Sequence, residues 1–453
     1  MDQPDMVRKV KGPFSDKLGR RWTCACGREH HIPTRWLDVG YGALERIPEL
    51  LLREGWRSEV LLVADDATYE AAGRRVALVL REGRFRVKQL VFPLPLMATE
   101  EVATHLLGRV GGEAGLVAVG SGTVNDIVKW AAHRAGRPYI VIPTAASMNG
   151  YTSPVAALLT RGVKRTVPSS PPVGVSGDPE VVTSAPGDMA PAGYADLRSK
   201  TVADVDWWLS GWLFGGYYCH LPREAVGFWE GELRDRLPGI RKGDPDAVGV
   251  LLMALLDSGF GMTVAGTSSP ASGGEHLISH WLDMTAPLHG RGTALHGAQV
   301  GVGTLIASAL YGMILDSDPG KWSSNSELPS EGMKERYGPY AGEVEAELMK
   351  KTPERPEDLL GKLAEGWEEV REEIVRRWVP PDLLREELRE AGAPTGPEEL
   401  GITYDLLRDA LLYGREVRGR WTVLDTAYLV GLLPSRADEA LERAFGREVS
   451  RHG

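Results

Sequence analysis

Between residues 59 and 142, short β-branched runs alternate with longer amphipathic ones, and no other feature constrains the fold as strongly. Residues 59–64, 87–92, 115–119 and 139–142 read as strands, and 68–81, 99–110 and 125–135 read as the helices between them. A helix that intervenes between two strands carries the chain back to the same end of a sheet, so the strands run parallel. The continuous apolar run Val60-Leu61-Leu62-Val63-Ala64 suits a strand covered on both faces. The pattern predicts an α/β nucleotide-binding domain over residues 1–190. Proline, glycine and serine become frequent from Pro154 to Pro191, where Val163 to Val175 reads as a hairpin followed by a short strand. Beyond Gly193 the amphipathic runs are helical, at 197–214, 246–258, 274–283, 297–311, 343–350, 356–378 and 404–413, so residues 191–453 read as an all-α domain. Ser317 to Pro339 reads as a long exposed connection.

Charge and apolar content narrow the function classes. With 52 Lys+Arg against 62 Asp+Glu the net charge is -10, which repels a polyanion, so no nucleic-acid partner is expected. The longest apolar run, Ala247 to Leu256, stops at Asp257, short of the roughly 18 residues of a membrane span, so none is expected. The opening Met1-Asp2-Gln3-Pro4-Asp5 has no basic start followed by an apolar stretch, and the expected location is the cytoplasm. Three cysteines, Cys24, Cys26 and Cys219, are expected to be reduced thiols. Cys24-Ala25-Cys26-Gly27-Arg28-Glu29-His30-His31 looks superficially like half a zinc site. Without a second Cys or His cluster nearby in the sequence, it reads as a local turn.

Several segments carry candidate chemistry. Gly120-Ser121-Gly122-Thr123-Val124-Asn125-Asp126 lies between a strand and a helix, where small residues let backbone N–H groups approach a diphosphate and the helix end adds positive potential. Asp65 and Asp66 end the first strand; a carboxylate there either accepts from an adenosine ribose, favouring NAD over NADP, or caps the next helix. His276 and His280 are four apart and share a helical face, and His296 opens the following apolar helix. With Asp196, in Ala192-Gly193-Tyr194-Ala195-Asp196, two of these imidazoles make an open Asp-His-His set suited to a Lewis-acid metal.

Taken in order, these segments resemble the bacterial branch of the sn-glycerol-1-phosphate dehydrogenases, within the superfamily of iron-containing alcohol dehydrogenases, glycerol dehydrogenase and dehydroquinate synthase. Also part of the resemblance are the Cys24-x-Cys26-Gly27 opening, Pro143-Thr-Ala-Ala-Ser-Met-Asn-Gly-Tyr-Thr-Ser-Pro154 and Leu295-His-Gly-Ala-Gln-Val-Gly-Val-Gly303. It implies a dehydroquinate synthase-like fold: an α/β N-terminal Rossmann-like nucleotide-binding domain plus an all-α C-terminal metal-binding domain. By motif it places Gly120, Ser121, Gly122, Thr123 and Asp126 at the cofactor diphosphate and Thr144, Ser147 and Ser153 beside the nicotinamide. Asp196, His276 and His296 match the metal ligands, and His280 a histidine near the substrate. Asn149 stands where the family carries a substrate-contacting Asp. The implied cofactors are NAD or NADP and one divalent metal, with zinc the first choice and nickel or iron compatible. The implied reaction is reduction of dihydroxyacetone phosphate, in a homodimer. The alternatives left open are a dehydrogenase of another polyol phosphate or sugar alcohol, a dehydroquinate synthase-like lyase, and a nucleotide-binding protein that has lost activity. The stretch from about Pro356 onward finds little counterpart in the resemblance.

Overall fold

The computed structural model describes residue 7 and residues 10–57, 59–160, 163–324 and 332–446. By backbone contacts the chain forms two compact units, Met1–Leu197 with His220–Ser268, and Arg198–Cys219 with Ser269–Gly453.

The first unit opens with a small antiparallel hairpin, β1 (Arg21–Thr23) and β2 (Glu29–His31). Its main sheet has six strands: β3 (Trp36–Val39), β4 (Glu59–Asp65), β5 (Arg86–Phe92), β6 (Gly115–Gly120), β7 (Tyr139–Pro143) and β10 (Gly174–Gly177). Between β7 and β10 lies a hairpin of β8 (Val155–Thr160) and β9 (Val163–Pro168). The main sheet runs β3-β10-β7-β6-β4-β5, and every pair in it is parallel. Val60, Leu62 and Ala64 pack with Val117, Val119, Ile140 and Ile142 in one buried cluster, while Leu61, Val63, Leu116 and Ala118, which alternate with them, are buried too. A sheet covered on both faces explains why its strands read as unbroken apolar runs.

The chain passes from β4 outward to β5 and then returns to the other side of β4 as β6, so the strand order reverses between β4 and β6. In open parallel sheets the crevice at the carboxyl ends of such a pair is where ligands bind. Asp65 ends β4 and Gly120 ends β6, so two predicted cofactor residues flank that crevice.

The predicted helices are present with shifted ends. Residues 66–82 are helical throughout but carry a π-helical turn at Tyr69–Gly73, and the helix after β6 starts at Gly122 rather than Asn125. The run that stops at Asp257 in the sequence continues as the helix Pro245–Ala265, which packs in the first unit. Asp257 is tolerated there because its carboxylate accepts from Trp229 Nε1 at 2.9 Å. By length and composition Pro245–Ala265 and His296–Leu315 both suffice to cross a membrane, but 94% and 89% of their apolar windows are buried inside the protein.

The second unit is helical. Lys200–Phe214, Gly274–Thr285 and His296–Leu315 form its centre, and Pro381–Ala391, Tyr404–Tyr413, Val423–Leu429 and Ala437–Phe445 pack around them. The expected connection Ser317–Pro339 is partly structured: Pro319–Lys321 and Met333–Tyr337 are helical turns, and Met333 and Tyr337 are buried. Asn325 and Ser326 of the serine cluster lie outside the described residues.

Candidate active site

At the reversal point, Ser121 precedes the helix Gly122–Ala135 without a side-chain capping bond, so the first-turn N–H groups remain for an incoming anion. Thr144 N donates to the Gly120 carbonyl at 3.3 Å, joining the loop after β7 to the Gly-Ser-Gly turn. Asp65 caps the next helix reciprocally: Thr68 N donates to its Oδ1 at 2.8 Å, and its own N–H donates to Thr68 Oγ1 at 3.0 Å. The capping alternative is therefore realised, with Oδ2 outside the capping pair.

Asp126 and Ser153 belong to a buried tie. Asp126 accepts from Ala157 N at 3.1 Å and from Asn125 Nδ2 at 3.2 Å. Lys129 Nζ donates to the Gly150 carbonyl, to Ser153 Oγ at 3.0 Å and to the Val155 carbonyl at 3.0 Å. It lies 3.8 Å from Asp126. Burial pushes the Lys129 ammonium down to about 8 and raises Asp126, each opposed by the other's charge. Lys129 fastens the 150–155 loop to the helix behind the Gly-Ser-Gly turn, a role missed in the sequence although Asp126, three residues earlier on the same helical face, was singled out there.

Next to this lies a carboxylate. Asp196 sits near the end of the helix Met189–Arg198, is 1% exposed, and its Oδ2 accepts from Asn149 N at 3.0 Å. Asn149 Nδ2 donates to Ser258 Oγ at 3.2 Å. The neighbouring Tyr151 donates its hydroxyl to the Ala145 carbonyl at 2.7 Å and bonds Ser147. Gly193 is required by close approach: an added Cβ would overlap the Ala146 carbonyl oxygen and sit 2.8 Å from its carbon. The small residue lets the helix lie against the 145–149 loop, and that contact brings the Asp196 carboxylate to the Asn149 amide.

The second unit gathers the three histidines. Ring centroids of His276 and His296 are 5.2 Å apart, and His280 lies 6.0 Å from each. His276 and His296 each place a ring nitrogen within 4.8 Å of the other's. His276 Nδ1 donates to Glu275 Oε1 at 2.7 Å. Ser279 Oγ donates to Gln299 Oε1 at 3.0 Å, so it is free to accept from His296 Nδ1 at 3.3 Å. Gln299 is oriented in turn by donating Nε2 to Asp283 Oδ1 at 3.1 Å and to the Ala294 carbonyl at 3.2 Å. Both rings thus commit Nδ1 to protein acceptors, which fixes the tautomer with Nε2 as the basic nitrogen, the arrangement that orients imidazole ligands. Glu275 is fully buried, which pushes its carboxyl up to about 7.

Beneath the start of this helix Asp206 accepts from Gly274 N at 2.7 Å, from Val423 N at 2.7 Å and from the Tyr311 hydroxyl. Burial first, then the nearby Glu275, pushes Asp206 up to about 8. The chain's last helices therefore brace the imidazole-bearing one. Neither Asp206 nor Glu275 was among the expected site residues, although Glu275 adjoins His276 in the sequence.

Comparison with known proteins agrees with this architecture. The model of the iron-containing alcohol dehydrogenase family matches residues 38–186. Glycerol-1-phosphate dehydrogenase [NAD(P)+] of Bacillus licheniformis is 30% identical over 420 residues, 91% of this chain and 93% of the relative. The enzyme of the same name from Halalkalibacterium halodurans is 34% identical over 64% of this chain and 73% of its own. A probable glycerol dehydrogenase from Sinorhizobium meliloti superimposes with a TM-score of 0.59 at 17% identity, covering 91% of this chain and 98% of that one. The share aligned with the Bacillus licheniformis enzyme is too large for everything after Pro356 to lack a counterpart, which corrects the expectation for the C-terminal stretch. The chain belongs to the glycerol-1-phosphate dehydrogenase family, among the iron-containing alcohol dehydrogenase-like proteins.

Proposed function

We propose that the protein reduces dihydroxyacetone phosphate to sn-glycerol 1-phosphate with NAD(P)H, using one divalent metal held by Asp196, His276 and His296. The observation that carries this reading is the pair of imidazoles whose Nδ1 atoms are engaged by Glu275 and by the Ser279–Gln299 relay. Two neutral nitrogen donors of fixed orientation and one carboxylate suit a borderline divalent ion. Zinc is our first choice, with nickel and iron compatible. Such an ion, when bound, supplies Lewis acidity at the substrate oxygen, and the reduced nicotinamide supplies the hydride.

The rest is the work of this chain. The Gly120-Ser121-Gly122-Thr123 turn receives the cofactor diphosphate, while Asp126, through the hairpin it ties, fixes the floor beneath it. Thr144, Ser147 and Ser153 keep the loop after β7 in place on the nicotinamide side. Asp65 presents Oδ2 to an adenosine ribose, which favours NAD over NADP. Asn149 meets the substrate's hydroxyl or carbonyl, with its amide steadied by Ser258. His280 delivers a proton to the nascent alcohol, directly or through a water, since an imidazole exchanges protons near neutral pH. In this scheme the cofactor is held within residues 1–190 and the metal and substrate mainly by residues from 191 onward, of which 220–268 pack with the first unit, and the protein works as a cytoplasmic homodimer.

The test is a metal-loaded preparation assayed for NADH and NADPH oxidation across a panel of phosphorylated ketones and polyols. The expected best pair is dihydroxyacetone phosphate forward and sn-glycerol 1-phosphate in reverse, with sn-glycerol 3-phosphate inert. A preparation that turns over an unphosphorylated sugar alcohol instead overturns the substrate. One that consumes no reduced cofactor with any member of the panel overturns the reaction.

A further inference from the structure

We propose a second metal site, independent of the redox centre, in which Cys24, Cys26, His30 and Cys219 bind one structural zinc ion. The hairpin β1–β2 supplies three of the ligands. Its loop is a tight turn in which Gly27 N donates to the Cys24 carbonyl at 3.0 Å and Cys24 N donates to the Arg28 carbonyl at 2.9 Å. Gly27 adopts φ 81, a conformation open to glycine and strained for other residues. The turn aims Cys26 back across the hairpin, where Sγ lies 3.2 Å from His30 Nε2. The sulfurs of Cys24 and Cys26 and a ring nitrogen of His30 all lie within 4.8 Å of one another. Tetrahedral zinc, with Zn–S near 2.3 Å and Zn–N near 2.0 Å, sets its ligand atoms about 3.5–3.8 Å apart, so the three need only small adjustments.

The fourth ligand follows from where the chain re-enters the first unit. The His30 ring bonds the Val264 carbonyl, near the end of the helix Pro245–Ala265. One turn earlier Gly261 faces Pro222 of the helix Leu221–Leu233, where an added Cβ would lie 3.2 Å from Pro222 Cβ. These two anchor points are separated by about 4.5 Å along the helix axis. Cys219 precedes Pro222 by three residues, a tether of at most about 10 Å, and it is 1% exposed. The site takes up all 3 cysteines of the chain, none of them in a disulfide.

Three thiolates and one imidazole form a closed set that selects zinc over hard cations and leaves no position for substrate. Its purpose is structural. Each hairpin strand is only three residues long, and so short a hairpin is marginal unless something pins it.

The test uses the full-length chain, reduced, loaded with zinc and desalted. A mercurial that caps thiols should release one zinc per chain, read with a chromogenic chelator; the Asp196–His276–His296 set contains no sulfur and does not respond. Replacing zinc by cobalt should give near-ultraviolet thiolate-to-cobalt absorption, reduced at least fivefold in both Cys26→Ser and Cys219→Ser. No zinc released by the mercurial from the unmodified chain overturns the site, and that arm is independent of how well the variants fold. Cobalt absorption of unchanged strength in a folded Cys219→Ser chain overturns the four-ligand set.

Discussion

Substituting Gly193 by alanine probes how the carboxylate of the proposed metal site is held. A methyl group there would overlap the Ala146 carbonyl oxygen and stand 2.8 Å from its carbon and 3.1 Å from Ser147 Cα, whereas ordinary contact begins at 3.4 Å. Relieving the carbon–carbon overlap alone requires the 145–149 loop and the helix Met189–Arg198 to part by about 0.6 Å. Added to the 3.0 Å between Asn149 N and Asp196 Oδ2, that opening gives about 3.6 Å, beyond hydrogen-bond reach. The cost combines overpacking of about 1–3 kcal/mol with a lost bond to a buried carboxylate of about 1.5–3 kcal/mol. We expect a clear fall in the urea midpoint, a loss of metal affinity of at least tenfold and a fall in kcat of roughly a hundredfold, as for a misplacement of this order. Metal is measured by elemental analysis after desalting and turnover with saturating NADH and dihydroxyacetone phosphate. Gly187→Ala is the control, because an added Cβ there meets nothing within 4 Å. If Gly193→Ala retains wild-type metal content and turnover, the close approach at 193 does not set the geometry of Asp196.

Other consequences are direct. His276→Ala and His296→Ala should each lower the metal content by one ion per chain, leaving the zinc that a mercurial releases, and abolish turnover, while His280→Ala lowers kcat at least tenfold with metal content unchanged; elemental analysis beside steady-state rates separates the two outcomes. Asn149→Asp restores the residue the family carries and should keep the contact to Ser258 with the hydroxyl now donating, so dihydroxyacetone phosphate should stay first in a panel ranked by kcat/KM. Asp257 is held up at about 7 by burial, against an ordinary 3.8. The folded state therefore keeps a proton that the unfolded chain gives up, and the stability this contributes is complete below about pH 4 and lost by about pH 7. The ceiling is about 4 kcal/mol at 1.36 kcal/mol per pH unit. Asp257→Asn should flatten that decline in urea midpoints measured from pH 4 to pH 8, and an unchanged slope would exclude Asp257 as its source. Asp65→Ala should remove a reciprocal helix cap worth about 1 kcal/mol and narrow the preference for NADH over NADPH, read from thermal melts and from the ratio of kcat/KM values.

What was legible in the sequence is what local periodicity encodes. The strands β4 to β7, the glycine turn after β6 and the histidines spaced one helical turn apart all follow from residues close in the chain. The edge strand β3 was missed because four residues are too few to show a period, and β10 was foreseen only as the short strand that follows the hairpin and ends at Val175. The helices Leu221–Leu233 and Leu237–Lys242 were missed because proline and glycine interrupt their pattern; proline at the first turn does not break a helix, and Gly243 ends the second in the left-handed conformation. Asp257 appeared to end an apolar run, yet an indole donor 28 residues away and the Phe14 backbone N–H carry it inside the helix. Cys24 and Cys26 read as a plain turn because their fourth partner in the proposed zinc site lies nearly two hundred residues downstream.

The same limit explains why the supports of the histidines were harder to foresee than the histidines. A ligand's identity is written in its residue type, but its orientation depends on what accepts its second nitrogen, and here that is settled by residues chosen for burial. Asp206 is fully buried and stays tolerable only because it gathers Gly274 N, Val423 N and the Tyr311 hydroxyl, groups drawn from three helices. The bond to Gly274 holds the first turn of the helix that carries His276, and the bond to Val423 ties that turn to the C-terminal part of the chain. A change near residue 423 should therefore reach the imidazole through one shared carboxylate, without touching substrate or cofactor. In the proposed site the C-terminal stretch thus helps to fix where His276 points.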